Sequence, residues 1–152
     1  MVQIGSSLGI LDNAANRAST CALDSVGKVY CWGHNGYGQL GNASNNNSFL
    51  PVAVSDAGVL ANKVLTQLSV GDLHVCALDT QGQAYCWGRN NYGQLGNGST
   101  NDSNTPVAVD ASGVLAGKTL TQIQSGETST CALDSSGQAY CWGRNKIGRA
   151  HV

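Results

Sequence analysis

The sequence predicts an all-β protein built from repeated sheets, and three observations support this fold class. A thirteen-residue stretch of the pattern C-A-L-D-x-x-G-x-x-Y-C-W-G starts at Cys21, Cys76 and Cys131, so that the repeat period is 55 residues. Each copy carries a D-x-x-G turn signal between apolar runs. Glycine, asparagine and serine fill the segments that join these runs, as expected of strands connected by turns. The constant period indicates a structural repeat.

The length of the repeat points to a β-propeller. A period of 55 residues lies in the range of propeller blades, and about four to eight blades are needed to close a ring. The 152-residue chain contains fewer than three periods. We therefore predict an incomplete propeller over residues 1–145, with fewer than three blades of four-stranded antiparallel sheet, the rest of the propeller being missing.

The chain begins near the end of a repeat unit. Its first four residues match Leu65–Leu68 and 120–123, but they lie nine residues farther from the following cysteine. We place an inserted polar loop within residues 5–20. At the other end, residues 146–152 depart from the repeat and read like a translated sequencing adapter, so we interpret them as a non-native tail.

Between the cysteine stretches, the chain follows one order. A glycine-dense segment, N-x-Y-G-Q-L-G-N, predicts a turn or a close backbone approach, and the Asn/Ser tracts at 43–48 and 98–104 predict exposed loops. Short strands are then expected at 51–54 and 106–109, with proline at the first strand position. A G-V-L-A connector and a further strand, at 64–70 or 119–124, lead to the next cysteine stretch.

The centre of each thirteen-residue stretch predicts a β-hairpin with a three-residue loop. The aspartate suits the first turn position, where its carboxylate accepts backbone hydrogen bonds, and the glycine suits the left-handed position that follows a type I turn. These structural turn residues are Asp24, Gly27, Asp79, Gly82, Asp134 and Gly137.

The same strand pairing places the two cysteines of each hairpin opposite each other, in a non-hydrogen-bonded pair with Cα atoms about 4.5 Å apart. We predict the disulfides Cys21–Cys31, Cys76–Cys86 and Cys131–Cys141, each stabilising the fold by about 3 kcal/mol. Two alternatives remain open. In the first, the thiolates bind zinc, although each hairpin offers only two ligands. In the second, the cysteines are reduced core residues of a cytosolic protein.

The pairing also separates the two faces of each hairpin. The cysteines, Leu23 and Val29 share one face, and Thr20, Ala22 and the aromatic residues share the other, so that both faces are apolar, as in a sheet packed between neighbours. The aromatic residues are predicted to pack between blades rather than to form a binding cage: Tyr30, Trp32, Tyr85, Trp87, Tyr140 and Trp142.

Composition and motifs exclude several functions. The formal net charge is −1 and only 11% of residues are charged, so that no basic surface for nucleic acid is expected. No apolar run is long enough to span a membrane. No catalytic carboxylate pair, Ser/His/Asp set, metal site or phosphate loop stands out, so we expect neither enzyme activity nor a cofactor. His34, which stands where Arg89 and Arg144 occur, is expected to be a solvated loop residue.

Several motifs carry a family resemblance. The run G-D-L-H-V-C-A-L at 71–78, followed by Y-C-W-G, N-x-Y-G-Q-L-G-N and P-V, resembles the repeat of the regulator of chromosome condensation family over residues 16–145. The resemblance implies a seven-bladed propeller, and the cysteine-containing version resembles repeats of secreted or surface bacterial proteins. The tryptophan motif of the ultraviolet-sensing plant relatives is absent, since Leu73 and Thr128 stand at its position.

The leading functional hypothesis is a rigid scaffold that binds an unknown protein or glycan through its loops, outside the cell or on its surface. The periplasm and then the cytoplasm are the alternative compartments. A second hypothesis is a structural module of a larger secreted enzyme or adhesin, and a third is a cytosolic GTPase regulator. The sequence identifies no binding residues.

Overall fold

The protein is an all-β chain of consecutive antiparallel sheets. The structure, a computed structural model, describes residues 3–6 and 18–145. Each strand pairs with its neighbours in chain order. The first sheet contains β1 (Gln3–Ser6), β2 (Ser19–Leu23), β3 (Val29–Gly33) and β4 (Ser48–Ala53); the second contains β5 (Leu65–Val70), β6 (His74–Asp79), β7 (Ala84–Gly88) and β8 (Ser103–Ala108); the third contains β9 (Leu120–Ser125), β10 (Ser129–Asp134) and β11 (Ala139–Gly143).

This architecture confirms the predicted fold class. The described residues form two four-stranded sheets and one three-stranded sheet, as expected of a partial propeller. The strand register repeats from sheet to sheet: Ile4 lies opposite Ala22, Leu68 opposite Ala77 and Ile123 opposite Ala132. The predicted insertion and the predicted non-native tail fall mainly on residues 7–17 and 146–152, outside the described residues.

The sheets stack face to face, and the core lies between them. The cysteine-bearing face of the first sheet packs against the aromatic face of the second, where Trp87 is fully buried. The cysteine-bearing face of the second sheet packs in the same way against Ile123, Ala132 and the aromatic residues of the third. Because the strands are apolar on both faces, each sheet can pack against a neighbour on either side. The two interfaces therefore have the same composition, with a cystine face against an aromatic face.

The outer strands begin earlier than the sequence suggests. The expectation that proline occupies the first strand position is wrong, because Pro51 and Pro106 are the fourth residues of β4 and β8. Both strands are outer strands that pair on one side only, so that the missing proline N–H removes no ladder hydrogen bond. The expectation that residues 48, 103 and 104 lie in loops is also wrong, because Ser48 pairs with Gly33 at the start of β4 and Ser103 pairs with Gly88 at the start of β8.

The G-V-L-A connectors form short 3₁₀ turns, at Gly58–Leu60 and Gly113–Leu115. Leu60 is buried in the first interface. The remaining predicted strands agree with β5 and β9 to within one residue at each end. In the described part of the chain, no helix has the length and apolar character needed to cross a membrane.

Candidate functional site

The six cysteines form three disulfides within hairpins, as predicted. Cys21 bonds Cys31, Cys76 bonds Cys86 and Cys131 bonds Cys141, with Cα–Cα distances of 4.0, 4.1 and 4.1 Å. All six are thereby used, and no free cysteine remains. Within residues 3–6 and 18–145, no group of three or more metal-ligating side chains is found. The cysteines therefore act as covalent locks in this structure.

Each hairpin turn is organised by its aspartate. Oδ1 of Asp24 accepts hydrogen bonds from the backbone N–H groups of Val26 and Lys28, both at 2.9 Å. Asp79 and Asp134 make the same pair of contacts in the other hairpins. The glycines adopt the left-handed conformation that the turn requires, with φ of +86° at Gly27. The pKa of Asp134 is lowered, and the largest cause is the hydrogen bond that its carboxylate accepts from the Ser136 hydroxyl.

The second carboxylate oxygen of the turn binds a tyrosine. Oδ2 of Asp79 accepts a hydrogen bond from the Tyr85 hydroxyl at 3.0 Å, and Asp134 accepts one from Tyr140 at 2.9 Å. Burial, followed by the bond to Asp79, raises the pKa of Tyr85 to about 12. Sequence reasoning assigned these tyrosines only to packing between blades. The constant Asp-to-Tyr spacing of six residues is the signal that could have revealed the contact.

Trp87 and Trp142 each connect their own sheet to the loop between the last two strands of the preceding sheet. Nε1 of Trp87 donates to the Gln39 carbonyl, and Nε1 of Trp142 to the Gln94 carbonyl, both at 3.0 Å. A Cβ added at Gly41 would lie 2.8 Å from Nε1 of Trp87. The glycines of the Y-G-Q-L-G segment thus allow the close backbone approach that the sequence suggested. Trp32 is half-buried on the outer face of the first sheet.

A buried asparagine holds each of these loops in one shape. The Asn35 side chain is fully buried; its Oδ1 accepts from the Leu40 N–H, and its Nδ2 donates to Asn42 Oδ1 and to two backbone carbonyls. Asn90 makes the equivalent contacts in the second loop. Every polar position of these two amides has a partner, which makes the loops rigid.

Replacing Asn90 with alanine should lower the free energy of unfolding by about 2–3 kcal/mol, because the buried Leu95 N–H loses its acceptor and two partly buried loop carbonyls lose their donor. Asn101→Ala is the matched control, since Asn101 is exposed and only its backbone takes part in the hydrogen bonds of this loop. Urea unfolding of both variants measures the difference. Equal stabilities of the two variants would contradict the assigned role of Asn90.

The rigid loops present arginine and tyrosine side chains in a row across the sheets. The Arg89 guanidinium lies over the Tyr37 ring at 4.5 Å, and the Arg144 guanidinium lies over the Tyr92 ring at 4.9 Å. Tyr92 remains 43% exposed. His34, expected to be a solvated loop residue, contacts the Gln39 amide through Nδ1 at 2.7 Å. We call Tyr37, Arg89, Tyr92 and Arg144 the Tyr/Arg row.

One buried histidine lies between the second and third sheets. Nε2 of His74 lies 2.9 Å from Oγ1 of Thr130, which itself donates to the Gln94 carbonyl, so that His74 is the donor in this pair. Its Nδ1 has no hydrogen-bond partner in the described structure. Burial lowers the pKa of His74 to about 4. The neutral ring therefore fits this interface and the charged ring does not.

Comparisons with known proteins agree with this geometry. Residues 26–78 and 81–133 match the family described as Regulator of chromosome condensation (RCC1) repeat, and residues 65–94 and 120–148 match a second pattern with the same description. The chain is 32% identical over 139 residues to the ultraviolet-B receptor UVR8 of Arabidopsis thaliana, and this match covers 91% of the chain and 30% of the receptor.

Two solved structures share the fold. Human WBSCR16 aligns with a TM-score of 0.74 and 26% identity, over 87% of this chain and 33% of that protein. Yeast RCC1 (Prp20), solved in complex with Kap60, aligns with a TM-score of 0.71 and 25% identity, over 97% of this chain and 34% of that protein. The chain thus spans about a third of the length of each of these relatives.

Proposed function

Because the chain belongs to the regulator of chromosome condensation (RCC1) repeat family, we propose that it is a rigid scaffold that binds a protein through the loops at one end of its sheets. The observation that carries this proposal is the Tyr/Arg row. Tyrosine and arginine are enriched among the residues that dominate protein–protein binding energy, since they combine apolar area with hydrogen-bonding capacity.

The loops suit this role because their internal hydrogen bonds are the same in both repeats while their exposed residues differ. Asn35 and Asn90 make equivalent internal hydrogen bonds, whereas the exposed positions differ, with Asn45 in one loop where Thr100 stands in the other. Pre-ordered loops lose little conformational entropy on binding. The arrangement therefore supports specific binding, with different contacts from each repeat.

The thirteen-residue stretch serves the scaffold and leaves its chemistry engaged inside the fold. Its cysteines are paired, its aspartates bind turn N–H groups, and Trp87 is covered by the preceding loop. Yeast RCC1, which is similar in structure to this chain, has been solved with the protein Kap60 bound to it, and this is a precedent for a protein partner. A glycan remains the alternative ligand, because the exposed Tyr92 ring also offers a surface for a sugar.

We further propose that the protein belongs to an oxidising compartment, outside the cell or on its surface. Three disulfides within described hairpins support this location. The same observation is compatible with a module of a larger secreted enzyme or adhesin, and a bacterial origin stays a prediction. The oxidation state of the cysteines in protein isolated from its source cells tests the compartment. Six reduced thiols would favour the cytosolic hypothesis instead.

Tyr92→Ala should weaken partner binding by about tenfold or more, because the substitution removes an exposed aromatic anchor. A photo-crosslinking amino acid placed at position 37 should attach to the partner in an extract of the source cells. Excess wild-type chain should compete for this crosslink, and the Tyr92→Ala chain should compete poorly. Val114→Ala is the matched control, since Val114 is 75% exposed at the opposite end of the sheets.

Two results would contradict the proposed binding surface. In the first, the Tyr92→Ala and Val114→Ala chains compete equally well for the crosslinked protein. In the second, a crosslinker at position 114 captures the same protein as efficiently as one at position 37. Removal of glycans from the extract distinguishes the alternative ligand, because loss of binding after that treatment would indicate a glycan.

A further inference from the structure

The Arg89 guanidinium is held against an aromatic ring but has no anionic partner. It lies over the Tyr37 ring, 4.5 Å from the ring centroid, and within residues 3–6 and 18–145 it makes no hydrogen bond or ion pair. Arg89 directly follows β7 in the middle sheet, and the sheets on both sides are described, so that the ends of the chain do not cause this arrangement. Arg144 repeats it over Tyr92. The N–H donors of both side chains therefore face no acceptor of the described chain.

Both members of the Arg89–Tyr37 pair are anchored through their backbones. The Arg89 N–H donates to the Leu73 carbonyl at 2.9 Å. The Tyr37 N–H donates to Oε1 of Gln39 at 2.8 Å, and Gln39 is fully buried. The contact with the ring further restricts the Arg89 side chain. Binding through this guanidinium therefore costs less conformational entropy than binding through a mobile surface arginine.

The two types of cationic side chain lie at opposite ends of the sheets. Both described arginines follow the strands that carry the motif tryptophans. The described lysines lie beside the hairpin turns at the other end: Lys28, Lys63 and Lys118. Both salt bridges of the described residues are at the lysine end. A guanidinium has a planar fork of donors that fits a carboxylate with two parallel hydrogen bonds, which an ammonium group lacks. The arginine end is therefore suited to recognise carboxylates.

The acidic groups of the loops do not neutralise Arg89. Oδ1 of Asp102 accepts a hydrogen bond from the Asn90 N–H at 2.8 Å, and no carboxylate of residues 3–6 and 18–145 forms an ion pair with the Arg89 guanidinium. Each repeat contributes one guanidinium to the Tyr/Arg row, and the described lysines are at the other end. This charge matches a single carboxylate better than a phosphate group, which carries a charge of about −2.

We propose that the protein bound by the Tyr/Arg row presents Asp or Glu side chains to it, and that Arg89 pairs with one of these carboxylates. This inference rests on the proposed function, because it assigns the chemistry of the partner. The carboxylate accepts hydrogen bonds from the guanidinium while the Tyr37 ring holds the guanidinium in place. Arg144 forms the equivalent pair one repeat further along the row. The acidic side chains determine which proteins are accepted, and the exposed Tyr92 ring adds apolar contact area.

The test uses defined peptides and the full chain. A random peptide display library is screened on the wild type, and peptides that bind the Tyr92→Ala chain weakly are called row peptides. Fluorescence anisotropy then measures the affinity of synthetic row peptides for the wild-type, Arg89→Gln, Arg89→Lys and Lys118→Gln chains. Lys118→Gln is the matched control, because it removes one positive charge from an exposed side chain at the opposite end of the sheets. Circular dichroism checks the fold of each variant.

We expect the row peptides to be richer in Asp and Glu than the unselected library. Arg89→Gln should weaken their binding by at least about tenfold, because the partner carboxylate loses its donor. Arg89→Lys should weaken it by a smaller factor, since the charge remains but the fork of donors is lost. The Lys118→Gln chain should bind like the wild type.

A change in the peptide tests the pairing itself. Replacing its essential Asp or Glu with Asn or Gln should weaken binding to the wild type as much as Arg89→Gln does. The same replacement should cause no further loss with the Arg89→Gln chain, because both changes remove one interaction.

Two results would overturn this inference and leave the proposed function standing. In the first, the row peptides contain no excess of Asp and Glu over the library. In the second, the row peptides bind the wild-type and Arg89→Gln chains equally well. A screen in which no peptide depends on Tyr92 would contradict both this inference and the proposed binding surface.

Discussion

Trp87→Ala should lower the free energy of unfolding by about 3–5 kcal/mol, the range for removing a large buried aromatic side chain. Trp87 is fully buried between the first and second sheets, and its indole N–H donates to the Gln39 carbonyl. The substitution therefore removes apolar contacts and leaves a buried carbonyl without its donor. Urea denaturation followed by far-UV circular dichroism measures the change.

Trp32→Ala provides a control within the same chain. Trp32 occupies the same motif position but is half-buried on the outer face of the first sheet, so we expect a loss of about 1 kcal/mol. Losses of similar size for the two variants would mean that the motif tryptophan stabilises its own hairpin and not the contact between neighbouring sheets.

Acidification should destabilise the protein through His74. The pKa of this buried ring is lowered to about 4 from the ordinary 6.5. Between these two pH values the unfolded chain binds a proton on His74 and the folded chain does not. The stability that depends on the neutral His74 ring is therefore fully present above pH 6.5 and falls as the pH decreases toward about 4. The total loss is about 3 kcal/mol. The lowered pKa values of Asp56, Asp110 and Asp134 add a separate loss of stability, which begins below about pH 5 and does not depend on His74.

His74→Ser isolates this effect, since Ser19 and Ser129 occupy the equivalent positions in the other sheets. Between pH 6.5 and 4 the variant should lose less stability than the wild type, by up to about 3 kcal/mol, whatever its stability at neutral pH. Unfolding free energies at several pH values in that window give the comparison. Parallel pH profiles for the two proteins would show that His74 is not responsible.

The hairpins could be predicted from sequence because their structure depends on local interactions. The D-x-x-G signal determines the loop, and the loop determines that Cys21 lies opposite Cys31 and Ala22 opposite Tyr30, as observed. Strand alternation then predicts which residues share a face. The constant 55-residue period extends the same conclusions to the second and third copies, which is why the fold class and the disulfide pairing were confirmed.

The contacts between sheets were harder to predict because they join distant parts of the chain. The Tyr/Arg row pairs Tyr37 with Arg89, and nothing local to either residue indicates the other. Strand starts were missed for a related reason: Ser103 and Asn104 have poor strand propensity, but pairing with β7 and packing against Gly38 hold them in β8. The candidate binding surface depends on these long-range contacts.

The central claim is that each thirteen-residue stretch is a hairpin closed by its own disulfide. Alkylation of the purified, non-reduced protein followed by peptide mass mapping tests it most directly. We predict no free thiols and three linkages, Cys21–Cys31, Cys76–Cys86 and Cys131–Cys141. Six alkylated cysteines, or linkages between different hairpins, would contradict the claim.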